Sequence, residues 1–99
     1  MTISKKMDGD KMVMALEDRL DTTTAPQLDN EFKVCLYEVK ELVLDLEKLE
    51  YLSSAGLRVL LAAQKQMQKQ GGEMVIVNVN ETIMEVFEVT GFVDIITIK

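Results

Sequence analysis

The chain is 99 residues long, 47% hydrophobic and 28% charged, the balance of one globular domain with a real core and with no room for a second. Its formal charge of −6 argues against a general electrostatic grip on nucleic acid or on an acidic membrane surface. With no histidine, serine-histidine-aspartate and cysteine-histidine catalysis, phosphohistidine chemistry and most zinc sites drop out together, and a single cysteine, Cys35, has no intramolecular disulfide partner.

The opening MTISKKMDGDKM contains no apolar run that could act as a signal peptide, and the longest apolar run, Leu57 to Ala63, is interrupted by Arg58 and is far too short to span a bilayer. The expectation is a reduced, cytoplasmic protein. Ile3 to Met7 and Lys11 to Glu17 flank Asp8-Gly9-Asp10, and Asp-Gly between two strand-like runs predicts a hairpin. A calcium loop is the weaker reading of Asp8-Gly9-Asp10, because its later ligand positions and closing glutamate are missing.

Thr24-Ala25-Pro26-Gln27 reads as a capping box with proline in the first turn of a helix. Ala25, Leu28, Phe32, Cys35, Leu36 and Val39 recur at offsets of 3, 7, 10, 11 and 14, giving that helix one apolar face with Cys35 as a small buried hydrophobe in its middle. Leu42-Val43-Leu44-Asp45-Leu46 suits a central strand covered on both faces.

Tyr51-Leu52-Ser53-Ser54-Ala55-Gly56 then leads into Leu57, Leu60, Leu61, Gln64 and Met67 at helical spacing, closed by Gly71-Gly72 as a left-handed cap. Gln64 falls on the apolar face and weakens the stripe. Met74 to Val77 predicts a second buried strand. Asn80 follows as the cap of a shorter helix bearing Ile83, Val86 and Phe87, which Gly91 closes. Asp94 to Ile98 reads as the last strand. The order ββαβαβαβ predicts an α/β fold over residues 1–99, a mixed sheet with an opening hairpin, flanked by helices, its central pair parallel.

In such folds the usable crevice lies beyond the carboxyl ends of the parallel strands, where helix starts present free N–H groups. Ser53 and Ser54 fall there, with Ser54 at or next to the helix N-cap and two small residues, Ala55 and Gly56, leaving its hydroxyl accessible. A plain cap is the simpler role for such a serine and contributes about 1 kcal/mol. Charge adds a second observation: Tyr51 to Gly72 carries +3 while the rest of the chain carries −9. Arg58, Ala62, Lys65 and Lys69 follow offsets of 4, 7 and 11, one strip of the helix, either a solvated face or a docking surface for an acidic partner.

A phosphoryl group on Ser54 would add about −1.5 to −2 charge against the positive end of a helix dipole, where the fold tolerates it. A partner packed on the same helix start would have to desolvate or repel that dianion.

Leu42 to Leu46, Tyr51 to Leu57, Gly71-Gly72-Glu73-Met74 and Val89-Thr90-Gly91-Phe92 together resemble the STAS domain of bacterial anti-sigma factor antagonists, and Leu20-Asp21 with Thr24-Ala25 is similar to the family's segment before its first helix. The resemblance spans nearly the whole chain and is most specific at the serine-bearing loop. It implies partner switching. The unphosphorylated antagonist binds an anti-sigma factor that is also a serine kinase and frees a sigma factor; phosphorylation reverses this, and a phosphatase resets the cycle.

On this resemblance the phosphorylated serine is Ser54, and Asp21, Thr24, Ser53, Ser54, Ala55, Gly56, Leu57, Arg58 and Lys65 belong to the partner surface. Two positions depart from the family pattern. Ser53 stands where aspartate is usual, which makes it a second and weaker acceptor, and Asp18 stands where glycine is usual, two residues before Leu20. No cofactor or metal is expected. The competing readings are a constitutive STAS scaffold, in which Ser54 only caps, and a nucleotide-binding or phosphotransfer enzyme. The latter lacks GxxxxGK[ST], GxGxxG and a metal-ligand cluster. A two-component receiver needs an acidic cluster after its first strand, where this chain turns into a hairpin.

Overall fold

A computed structural model describes residues 1–99. The first two strands, β1 (Thr2–Asp8) and β2 (Lys11–Leu20), form the predicted hairpin, with Gly9 at φ 64° opening a two-residue loop that needs a positive φ there. Helix α1 (Ala25–Cys35), strand β3 (Glu41–Leu52), helix α2 (Ser54–Lys69), strand β4 (Glu73–Val77), helix α3 (Glu81–Thr90) and a short strand β5 (Thr97–Ile98) follow. The sheet order is β1-β2-β3-β4-β5, antiparallel at β1 and parallel from β2 onward, so β3 is central as expected.

Three right-handed crossovers that all step the same way across a sheet leave their helices on one face. The expectation that the central strand is covered on both faces is therefore corrected. Along β3, Leu42, Leu44 and Leu46 are buried while Val43 and Asp45 are only half-buried, and Met12, Met14 and Leu16 alternate with Val13 and Ala15 in the same way on β2. One cluster of 23 buried apolar residues fills the space between sheet and helices. None of the helices is long and apolar enough to cross a membrane.

Local signals set most helix ends. Gly71 at φ 74° lets Gly72 N–H reach Met67 O at 2.8 Å and Gly71 N–H reach Gln68 O at 3.1 Å, the paired bonds of a Schellman cap closing α2. Asn80 caps α3 by accepting from Ile83 N–H at 2.9 Å, and Gly91 at φ 80° ends it. Gln64 is buried on the inner face of α2 with its Oε1 unpartnered, the polar cost that the sequence stripe signalled.

Three local expectations are corrected. Thr24 makes no side-chain cap, because its hydroxyl is committed to Arg19 O and Asp21 N–H, and the Gln27 amide reaches Met1 O instead of turning back, so no capping box forms. Cys35 is half-buried at the last residue of α1, with its thiol 3.2 Å from both Lys5 Nζ and Glu31 Oε2, a polar contact rather than a hydrophobic one. The last strand shrinks to Thr97–Ile98, because a 3-10 turn over Phe92–Asp94 and the bond from Ile96 N–H to Phe92 O hold the preceding residues off the sheet.

Candidate functional site: the start of helix α2

β2 and β3 run past the rest of the sheet as a two-stranded extension, with register shifts between Ala15 and Glu17 and between Asp18 and Arg19. Asp18 sits at φ 75° in the second shift. It occupies the place where the family pattern has glycine, so the departure falls on a backbone conformation that glycine adopts at no steric cost. The extension ends with Leu20 opposite Leu52, and the next two loops are tied together where Ser53 N–H donates to Leu20 O at 2.9 Å.

Ser53, not Ser54, is the cap of α2. Its backbone is extended at φ −99° and ψ 173°, and its Oγ accepts from Gly56 N–H at 3.4 Å. Ser54 is consequently the first helical residue and is exposed, left out of the cap. Gly56 is buried. A Cβ there would lie 2.6 Å from Leu20 Cγ, 2.8 Å from Leu52 Cδ1 and 3.0 Å from Leu20 O. Its smallness thus seats the helix on the strand ends, which corrects the expectation that it clears space around the hydroxyl. Leu57 is also buried, so Gly56 and Leu57 position the surface from beneath and present no face to a partner, whereas Ala55 is half-buried.

Asp21 and Thr24 build the neighbouring loop. Asp21 Oδ1 accepts from the Thr23 hydroxyl at 2.7 Å, from Thr23 N–H at 3.0 Å and from Thr24 N–H at 3.2 Å, and Arg19 Nε lies 3.3 Å from Oδ2. The Arg19 guanidinium stacks over Tyr51, 4.2 Å from the ring centre, joining this loop to the end of β3. Donation by the Thr23 hydroxyl, helped by the two backbone N–H groups and Arg19, holds the Asp21 carboxyl at about 2, below its ordinary 3.8.

A lowered folded value means the carboxylate supports the fold fully above the ordinary 3.8 and loses that support as pH falls through about 2. Thr23→Val is expected to move the Asp21 titration upward, and Asp21→Asn to flatten the stability profile in that acid window, both followed by carboxyl NMR and acid unfolding. An Asp21 that titrates at its ordinary value in the folded protein would contradict this loop geometry.

Arg58 is exposed one turn after Ser54, and Lys65 lies eleven residues down α2, about 16 Å away, so the two cations act at different parts of the surface. The ion pairs of the chain are Lys5 with Glu31, Lys11 with Glu41, Arg19 with Asp21 and Lys33 with Asp29. The strip of Arg58, Lys65 and Lys69 has no part in them. A hollow of about 280 Å³ lies elsewhere, on the uncovered face of the sheet beside Ala15 and Asp45. At the start of α2 the Ser54 side chain is exposed, and Arg58 is exposed one turn further on.

The chain is 37% identical over 91 residues to BtrV of Bordetella bronchiseptica, covering 91% of this chain and 78% of BtrV. It is 34% identical over 98 residues to the anti-sigma-B factor antagonist of Listeria monocytogenes, covering 96% of this chain and 84% of that protein. Its fold matches the Bacillus cell fate determinant SpoIIAA in the phosphorylated form with a TM-score of 0.78 at 18% identity, over 99% of this chain and 91% of SpoIIAA. The family model of the STAS domain matches residues 2–99, and on that match, together with the Listeria relative, the chain belongs to the STAS-domain family, the one that includes the anti-sigma factor antagonists.

Proposed function

We propose that this protein is an anti-sigma factor antagonist, a regulator and not an enzyme, whose docking is governed by the hydroxyl of Ser54. The unmodified chain binds an anti-sigma factor that is also a serine kinase, in the cytoplasm, and thereby frees a sigma factor. The kinase transfers the γ-phosphoryl group of ATP to Ser54 Oγ, ADP leaves and the complex breaks; a serine phosphatase restores the antagonist.

One observation carries this reading: Ser53 makes the helix cap, which leaves Ser54 exposed as the first residue of α2. A dianion there meets the positive end of the helix dipole and costs the domain little. The same dianion under a docked partner must be desolvated, so the complex bears the penalty. The names of the relatives support the antagonist role, and the phosphorylated form of SpoIIAA supports the compatibility of this fold with phosphate.

Ser53 in place of the usual aspartate favours a second reading, a scaffold that binds independently of phosphate. Incubation with the anti-sigma kinase and ATP, followed by mass-spectrometric mapping, separates the two. Phosphate is expected on Ser54 and not on Ser53, which is half-buried and whose Oγ accepts from Gly56 N–H. A chain left unmodified at both serines would favour the scaffold.

A further inference from the structure

The helical layer carries two stripes of opposite charge. On α2, Arg58 and Lys65 are exposed with the small Ala62 between them. On α3, Glu81, Glu85 and Glu88 are exposed at offsets of 4 and 7, and the helix has no basic residue. These cations and carboxylates stay outside the four ion pairs of the chain. A stripe of one sign is an ordinary solvated face. Two unpaired stripes of opposite sign, on two helices of one face, form a surface complementary to itself.

The register of the two helices fits that complementarity. Both return from the carboxyl ends of parallel strands, so they run in the same direction. The Asn80 amide donates to Leu49 O at 2.9 Å, which starts α3 beside Leu49, three residues short of the Leu52 that precedes α2. That gap is about 10 Å along β3. Arg58 lies four residues into α2, about 6 Å down the helix, which brings it within about 4 Å of the level of Glu81. From there Arg58 to Lys65 and Glu81 to Glu88 are each seven residues, about 10.5 Å of rise.

We propose that this face pairs with a second copy of the chain, as a two-fold homodimer whose axis runs along the helices between α2 and α3. Each α2 lies on the partner's α3, so that the Arg58 to Glu81 and Lys65 to Glu88 contacts each form twice. The dimer draws on the stripe that the antagonist reading also assigns to the anti-sigma factor, so the two assemblies exclude one another. The net charge of −6 on each copy opposes association, which makes the dimer weak and its salt dependence diagnostic.

Sedimentation equilibrium of the whole chain, without any partner, tests the proposal independently of the antagonist reading. Dimer is expected at low ionic strength, weakened at least about tenfold at roughly 0.3 M salt as the ion pairs are screened. Non-specific association of an acidic chain would strengthen with salt. Lys65→Glu and Glu88→Lys each place like charges opposite one another and are expected to be monomeric. Their equal mixture, and the Lys65→Glu/Glu88→Lys double variant, restore opposite charges at both contacts and are expected to dimerise. Circular dichroism verifies that these surface variants fold. A wild-type chain that stays monomeric at low salt, or a mixture no more associated than either single variant, overturns the proposal.

Discussion

Ser54→Asp is expected to lower affinity for the anti-sigma factor by at least about 100-fold, equivalent to about 2.7 kcal/mol, while leaving the thermal midpoint of the free domain unchanged or slightly raised. The two halves of this result have separate causes. In the free domain an acidic group at the first position of α2 faces the positive end of the helix dipole, worth about 0.3–1 kcal/mol, and Ser54 makes no cap that the substitution could break. In the complex the same charge is trapped at an interface that must exclude water around it. A complex about 90% formed before a 100-fold loss of affinity would be about 8% formed after it, which is enough for a switch. Ser54→Ala is expected to bind like the wild type and to resist the kinase. Isothermal titration of the three proteins against the same anti-sigma factor measures this directly, and equal affinities would establish the scaffold reading instead.

Gly56→Ala is expected to destabilise the domain by about 2 kcal/mol, although alanine is the better helix former by about 1 kcal/mol. The gain in propensity is outweighed by crowding. The added methyl carbon would meet two leucine side chains and the Leu20 carbonyl at 3.0 Å or less, and that carbonyl is held in place by Ser53 N–H. The leucines belong to strand ends that are paired with one another, so relief comes from lifting the start of α2 off the sheet. The substitution is therefore also expected to weaken partner binding by moving Ser54. Urea unfolding with an unchanged m-value would register the loss of stability. A variant as stable as the parent would mean that α2 does not seat on Leu20 and Leu52 as described.

These two positions illustrate how differently the chain discloses its parts. Ser54 was legible from its neighbours, because a serine pair ahead of a helical apolar stripe, after a buried strand, marks a helix start at the productive end of an α/β sheet. Which serine caps was not legible, since both can occupy that position in sequence and the choice depends on where the Leu20 carbonyl fixes Ser53. The sequence marks Gly56 by its size but not by the reason for it. The atoms it must avoid are contributed by Leu20 and Leu52, one of them 36 residues distant in the chain. Asp21 and Thr24 are marked in the sequence by the family resemblance alone, and only the structure reveals that they hold each other and Arg19 in place.

By itself the sequence determined whatever rests on a few adjacent residues: the hairpin at Gly9, the caps at Asn80, Gly71 and Gly91, the inward faces of α2 and α3, and the excess of positive charge along α2. These follow from backbone preference and periodicity, which act within a turn or two of chain. Tertiary structure decided what depends on the meeting of distant segments. The crossovers chose a single face of the sheet for all three helices and left Val43 half-exposed, the turn after Gly91 shortened β5, and the ion pair of Lys5 with Glu31 drew Cys35 into polar company. A run such as Leu42 to Leu46 specifies that it prefers to be dry, but the residues that dry it belong to other elements, and only the folded arrangement selects them.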